Sequence, residues 1–145
     1  MVLVKDLMTA DPVAITPDMA LRNIIGLMKQ NGFRQLPVVV GDKLVGIVTD
    51  RDVRLVVNSP MIVHDHEEDM ELLEEVTADS CMTLNPITVT ADMPASRAAE
   101  MLAVYKFGAL PVVDGDRLVG IITVTDFLNA FVAGEEKREI SAFEY

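Results

Sequence analysis

The sequence predicts an α+β protein built from two copies of one β-α-β-β-α unit, packed as a pseudo-two-fold pair. Three observations carry that expectation. First, the chain matches itself: residues 8–52, moved forward by 74 positions, fall on 82–126 without a gap, and 19 of the 45 aligned positions are identical. Chance gives roughly three, at about one match in 15. Second, each copy holds apolar residues at helical spacing followed by two β-rich runs. Third, each pair of β-rich runs is joined by a turn of glycine and aspartate, a strong hairpin signal. A unit of this size leaves an apolar face that only a second unit can bury. The cleft between the copies is therefore the place of most interest.

Taken in order, Val13-Ala14-Ile15-Thr16 alternates and reads as a short strand. Asp18 then reads as a helix N-cap, and Asp92 as its twin, with Pro94 in the first turn where a missing N–H costs nothing. Leu21, Ile24, Ile25 and Met28 form the inward face of the first helix, matched by Ala95, Ala98, Ala99 and Leu102. Gly32 ends that helix in the left-handed conformation. Lys106 stands at the equivalent place, so the second helix is expected to end by another device. Strands follow at Leu36–Val40 and Leu44–Thr49 around Gly41-Asp42, and the equivalent turn carries Asp114-Gly115. A helix from Asp50 to Asn58 with Val53, Val56 and Val57 inward closes the first unit. Its twin runs from Thr125 to about Val132, with Phe127, Leu128 and Phe131 inward. By domain, the expectation is a first repeat at 1–58, an acidic connector at 59–77, a second repeat at 78–132 and a charged tail at 133–145, a helix extension or a frayed end.

The 145 residues suffice for one domain with a real core, and half of them are apolar. No apolar run approaches the roughly 18 residues of a membrane span, and the first residues lack the pattern of a signal peptide. The single cysteine cannot close an internal disulfide, which fits a reducing cytoplasm. Cys81 matches Leu7 in the other copy and so reads as a packing residue. A net charge of −11 argues against nucleic acid and anionic membrane surfaces as partners, while a local basic pocket can still hold one small anion.

The segments that can carry chemistry are Gly46-Ile47-Val48-Thr49-Asp50-Arg51-Asp52 and Gly120-Ile121-Ile122-Thr123-Val124-Thr125-Asp126. Each is a strand ending in threonine, with a carboxylate three residues on at a helix start. Free N–H groups and the helix dipole suit such a corner to a phosphate. Thr49 and Thr123 can add a hydroxyl donor, and Asp52 and Asp126 can accept from the two hydroxyls of a ribose. A capping box in each copy explains the same residues without a ligand, and repetition does not decide between the readings. Charge differs between the copies: Arg34 and Arg51 in the first are Gly108 and Thr125 in the second, which makes the corner at Thr49 and Asp52 the better phosphate site. Both arginines also fit ordinary surface charge. His64, Asp65, His66, Glu67, Glu68 and Asp69 invite a metal reading, but an acidic run of this kind usually marks a solvated connector, and no metal is expected. The sequence carries no catalytic constellation, Walker loop or dinucleotide glycine loop, so no enzyme is expected.

The Met-Thr-x-x-Pro openings at Met8 and Met82, the Leu-Pro-Val-Val strands at Leu36 and Leu110, the Leu-Val-Gly-Ile arms and the paired Thr-x-x-Asp ends together resemble the cystathionine-β-synthase (CBS) domain, present twice. The resemblance runs from Val4 to about Val132. It implies a tandem pair, or Bateman module, whose clefts take AMP, ADP, ATP or S-adenosylmethionine. It also implies ribose contacts from Asp52 and Asp126 and phosphate contacts from Thr49 and Thr123. Backbone near Thr16, Thr90, Leu36-Pro37 and Leu110-Pro111 would face the adenine. The expected function is a cytoplasmic, homodimeric sensor that reports its ligand to a protein partner. The alternatives are a dimerisation module with empty clefts and a metal-responsive module using His64 and His66.

Overall fold

The computed structural model describes residues 1–57, 71 and 73–143, with side chains described as far as residue 134. The stretch from His64 to Asp69 lies outside the described residues. In order, the elements are α1 (Val4–Leu7), β1 (Thr9–Ala10), α2 (Leu21–Asn31), β2 (Gln35–Val40), β3 (Lys43–Thr49), α3 (Asp50–Val57), α4 (Ala78–Cys81), β4 (Thr83–Leu84), α5 (Ala95–Tyr105), β5 (Ala109–Asp114), β6 (Arg117–Thr123) and α6 (Val124–Phe143). This is the mixed helix-and-sheet architecture, in two repeats, that the sequence predicts. Among the described residues no helix is long and apolar enough to cross a membrane.

Contacts gather the chain into two units. One comprises Pro12–Ile87 with Gly115–Leu118; the other comprises Met1–Asp11, Thr88–Asp114 and Val119–Tyr145. Each unit is thus the strands and long helices of one sequence repeat together with the Met-Thr-x-x-Pro opening of the other.

In the first-repeat unit, β2 and β3 pair antiparallel from Gln35↔Thr49 to Val40↔Lys43, with a register shift between Val38 and Val39. On the other side of β3, the opening segment pairs through Gly46↔Leu84 and Ile47↔Thr83. The core is Ile15, Leu21, Ile24, Leu36, Val38 and Val48 with Met28, Val53 and Ala78. The second-repeat unit repeats the plan: β1 pairs with β6 through Thr9↔Ile121 and Ala10↔Gly120. Val4, Val89, Ala98, Leu102, Leu110, Val112 and Ile122 form its core.

Several expectations need correction. Val13–Thr16 is extended but makes only one bridge, Ile15↔Val38, and Val89↔Val112 is its twin. Pro12 and Pro17 bracket the first of these segments and cannot donate to a ladder. Asp18 is not an N-cap: Ala20 holds that position, and the Asp18 carboxylate instead accepts from the Thr16 hydroxyl at 2.5 Å. Asp92 pairs with Lys5 at 3.2 Å, and Pro94 is itself the cap residue. The reason is that backbone already serves these helix ends. Leu21 N–H donates to the Val76 carbonyl at 2.8 Å, and Ala95 N–H to the Val2 carbonyl at 2.9 Å, so a side-chain cap has less to satisfy.

Lys106 uses no other device. It adopts the left-handed conformation itself, at φ 58°, as Gly32 does at φ 68°. Along the closing helices only a narrow stripe turns inward, Val53 and Val56 on α3 and Phe127 and Ala130 on α6. Val57, Leu128 and Phe131, expected inside, are exposed. Past Val132, α6 continues to Phe143.

Candidate functional site

The end of β3 and the start of α3 make one corner, and the end of β6 and the start of α6 make its copy. At the first, Thr49 N–H donates to Asp52 Oδ2 at 2.8 Å, the Thr49 hydroxyl donates to the same oxygen at 3.0 Å, and Asp52 N–H donates to Thr49 Oγ1 at 3.2 Å. At the second, Thr123 and Asp126 reproduce the three bonds at 2.8, 3.0 and 3.2 Å. Both pairs are partly buried. The geometry is a closed capping box, and it consumes the threonine proton, one carboxylate oxygen and one helix N–H. A second helix N–H is also taken. Asp50 N–H donates to the Arg34 carbonyl at 2.8 Å, and Val124 N–H to the Gly108 carbonyl at 3.0 Å. What remains on each aspartate is Oδ1, which accepts no hydrogen bond among the described residues. It is a charged acceptor held at a fixed angle by the bonds to its twin oxygen.

The hairpin register brings the other candidate residues towards this corner within the first-repeat unit. Gln35↔Thr49 pairing sets Arg34 beside the start of α3, and Arg34 and Arg51 are both exposed. Among the described residues neither forms an ion pair, whereas Arg54 pairs with Asp50 at 3.7 Å. Ile15 N–H donates to the Pro37 carbonyl at 2.9 Å, and Val39 N–H to the Ile15 carbonyl at 2.8 Å; this parallel bridge sets Ile15 opposite Val38, so Thr16 lies on the Val39 side of it and not alongside Leu36-Pro37. Val89 binds the Pro111 carbonyl at 3.0 Å in the same way, next to Thr90 and Leu110. Leu36, Pro37, Leu110 and Pro111 are buried. Thr16 and Thr90 are exposed, and their carbonyls accept from Met19 and Met93 at 3.1 and 3.2 Å.

Two residue pairs that sequence reasoning passed over hold the strand leading to each corner. A Cβ on Gly46 would lie 2.6 Å from Met82 Sδ and 3.0 Å from the Thr83 carbonyl oxygen; on Gly120 it would meet Met8 Sδ and the Thr9 carbonyl oxygen at the same distances. The signal was present in the repeated methionine and the repeated glycine inside a strand, which marks close approach. Cys81, the last residue of α4, packs against the first core and is weakly bonded to the Thr77 and Ala78 carbonyls. Burial pushes its thiol pKa up, and the carboxylates of Asp52 and Asp79 push it further. It is a protonated packing residue, and the Asp52 charge reaches it.

The CBS domain family matches residues 4–59 and 74–133. The chain belongs to that family. A CBS domain-containing protein of Dictyostelium discoideum is 37% identical over 133 residues, which span 90% of this chain and 92% of the relative. Other relatives are longer: the chain spans 21% of an inosine-5'-monophosphate dehydrogenase of Korarchaeum cryptofilum, at 35% identity over 117 residues. Among solved structures, Arabidopsis thaliana CBSX2 in complex with AMP superimposes with a TM-score of 0.76 at 27% identity, covering 93% of this chain and 99% of that one. The CBS domain pair of protein MJ0100, in complex with 5'-methylthioadenosine and S-adenosyl-L-methionine, also gives 0.76, at 26% identity and 92% and 98% coverage.

Proposed function

We propose that this protein is a regulatory module that binds an adenosine-containing ligand at its Thr-x-x-Asp corners. The carrying observation is the twin arrangement in which each aspartate spends one oxygen on the capping box and keeps Oδ1 for a ligand. A carboxylate oxygen so fixed can accept from the vicinal hydroxyls of a ribose. The AMP, methylthioadenosine and S-adenosylmethionine held by structural relatives point to the same ligand class. On this reading Asp52 and Asp126 hold ribose, and Thr49 and Thr123 lie beside the phosphate or its replacement. Arg34 and Arg51 supply positive charge at the first corner only. Because the side chains of Leu36, Pro37, Leu110 and Pro111 are buried, main chain around them and around Thr16 and Thr90 would meet the adenine. The module acts in the cytoplasm as a homodimer and signals to a protein partner by binding its ligand more tightly in one conformation than in another.

Thermal unfolding with AMP, ADP, ATP and S-adenosylmethionine tests the proposal. A ligand at about 100 times its Kd stabilises the fold by roughly 2.7 kcal/mol, a shift of several degrees for a domain of this size. A second reading rests on the closure of the capping boxes, which satisfies threonine and aspartate without any ligand. Flat curves with all four compounds at millimolar concentration would leave the corners as helix caps in a dimerisation module.

A further inference from the structure

The two corners share their hydrogen bonds but not their charges. At the first, Asp50 and Arg54 pair at 3.7 Å and offset one another. Arg34 and Arg51 then stand against the one carboxylate of Asp52, two positive charges to one negative, which leaves a local balance of +1. At the second corner only the aspartate is kept. Val124 and Leu128 take the places of the ion pair, Gly108 and Thr125 those of the two arginines, and Asp126 remains at −1. The backbone is the same at both: the Arg34 carbonyl accepts from Asp50 N–H at 2.8 Å, and the Gly108 carbonyl from Val124 N–H at 3.0 Å. Lys106 ends α5 two residues before Gly108. Counting it brings the second corner to zero, still one charge below the first.

We propose that the two corners take different ligands: the first a phosphorylated adenosine, the second an adenosine whose 5′ substituent is a sulfonium and carries no phosphate. The inference rests on the reading of both corners as ribose sites and adds what each selects. Thr123 and Asp126 make the same three bonds as Thr49 and Asp52 at the same lengths, so ribose is offered the same Oδ1 twice. Discrimination therefore falls to the group on the ribose 5′ carbon. A phosphate monoester carries about −1.5 to −2 at neutral pH. Arg34 and Arg51 attract it at the first corner, and the Asp126 carboxylate repels it at the second. For a sulfonium both signs reverse. Each corner thus rejects the other's ligand by repulsion as well as selecting its own by attraction. The opening segments carry a different exchange of charge, Asp79 for Lys5. Asp79 N–H donates to the Pro17 carbonyl at 2.9 Å, and Lys5 N–H to the Ala91 carbonyl at 3.0 Å. Both residues therefore stand at the turns after Thr16 and Thr90, on the adenine side, where the ligand is uncharged.

Calorimetry on the full chain with AMP and S-adenosylmethionine tests this, with circular dichroism to check the folding of each variant. The wild type is expected to bind one molecule of each per chain, and S-adenosylmethionine to keep its affinity within about threefold when AMP saturates the protein. Gly108→Arg/Thr125→Arg gives the second corner the arginines of the first. Both positions are exposed, and Gly108 is not in the left-handed conformation. The double variant is expected to weaken S-adenosylmethionine by about tenfold or more and to take a second AMP per chain. Thr125→Arg alone should move both readings in the same direction and serves if the pair disturbs the fold. Two AMP bound per wild-type chain, AMP displacing S-adenosylmethionine, arginine variants that bind both compounds as the wild type does, or AMP binding without any of S-adenosylmethionine each overturn the inference and leave the adenosine reading standing. If neither compound binds, both readings fall.

Discussion

Lys106 holds a backbone conformation that an L-residue adopts at a cost of roughly 1–2 kcal/mol. It pays that cost with its side chain exposed, at a helix end where Gly32 does the same without it. Lys106→Gly is therefore expected to raise stability by about 0.5–1 kcal/mol, and Gly32→Ala to lower it by a similar amount, measured as shifts in denaturation midpoint at constant m. The glycines inside strands behave differently, because space rather than conformation is limiting. Gly46→Ala would press a methyl group against Met82 Sδ and the Thr83 carbonyl. A loss of about 1–3 kcal/mol is expected, with Gly120→Ala equal to it within error. At Cys81 the raised thiol pKa makes a pH prediction. Above the pKa of the unfolded thiol, the unfolded chain releases a proton that the folded chain keeps. Stability then falls as pH rises through the alkaline range, and none of this contribution is lost below it. Cys81→Ser should flatten the alkaline limb, and alkylation of the native thiol at pH 8 should be slower than that of the unfolded chain.

At the level of elements, the repeat made the hairpins and long helices legible, since β2-β3 and β5-β6 sit within a residue of the positions expected. The misreadings have one physical origin: partners that come from distant sequence. Asp18 and Asp92 look like N-caps locally, but the helices start later because Val76 and Val2 carbonyls reach their first N–H groups. Val57, Leu128 and Phe131 look inward by composition, yet α3 and α6 each bury one stripe and leave the next row outside. The Thr-x-x-Asp corners were legible as residues, and the capping box now seen in both was one of their two readings; sequence alone did not decide between it and a ribose site, because both call for the same side chains. Mutation separates the two roles. Asp52→Ala should cost about 1 kcal/mol of stability as a lost cap, and independently weaken nucleotide binding by about ten- to a hundred-fold through loss of a charged acceptor. Asp126→Ala should match it in stability but cost less in affinity, because Arg34 and Arg51 flank only the first corner. Calorimetry with AMP on both variants reads this difference; equal losses would indicate two equivalent sites.

At the scale of the whole chain, a repeat in sequence is not a unit in space. The opening segment Met1–Asp11 belongs by its contacts with Thr88–Asp114 and Val119–Tyr145, so the first residues of the chain stabilise strands more than eighty positions away. Val4 is fully buried in that second core. Its N–H donates to the Met93 carbonyl at 2.9 Å, and the Met8 side chain packs against Gly120. No local pattern announces this, because a four-residue helix and a two-residue strand carry too little periodicity to reveal what they pack on. The arrangement yields a directional prediction. Val4→Ala removes two methyl groups from a closed core and should cost on the order of 2 kcal/mol. The loss should appear where the segment packs, not where it stands in sequence. Native-state hydrogen exchange of the variant should speed up in 109–123 while 35–49 keeps its wild-type protection. Faster exchange in 35–49 alone would mean that the opening segment stabilises its own repeat, and the grouping of Met1–Asp11 with the second repeat would be wrong.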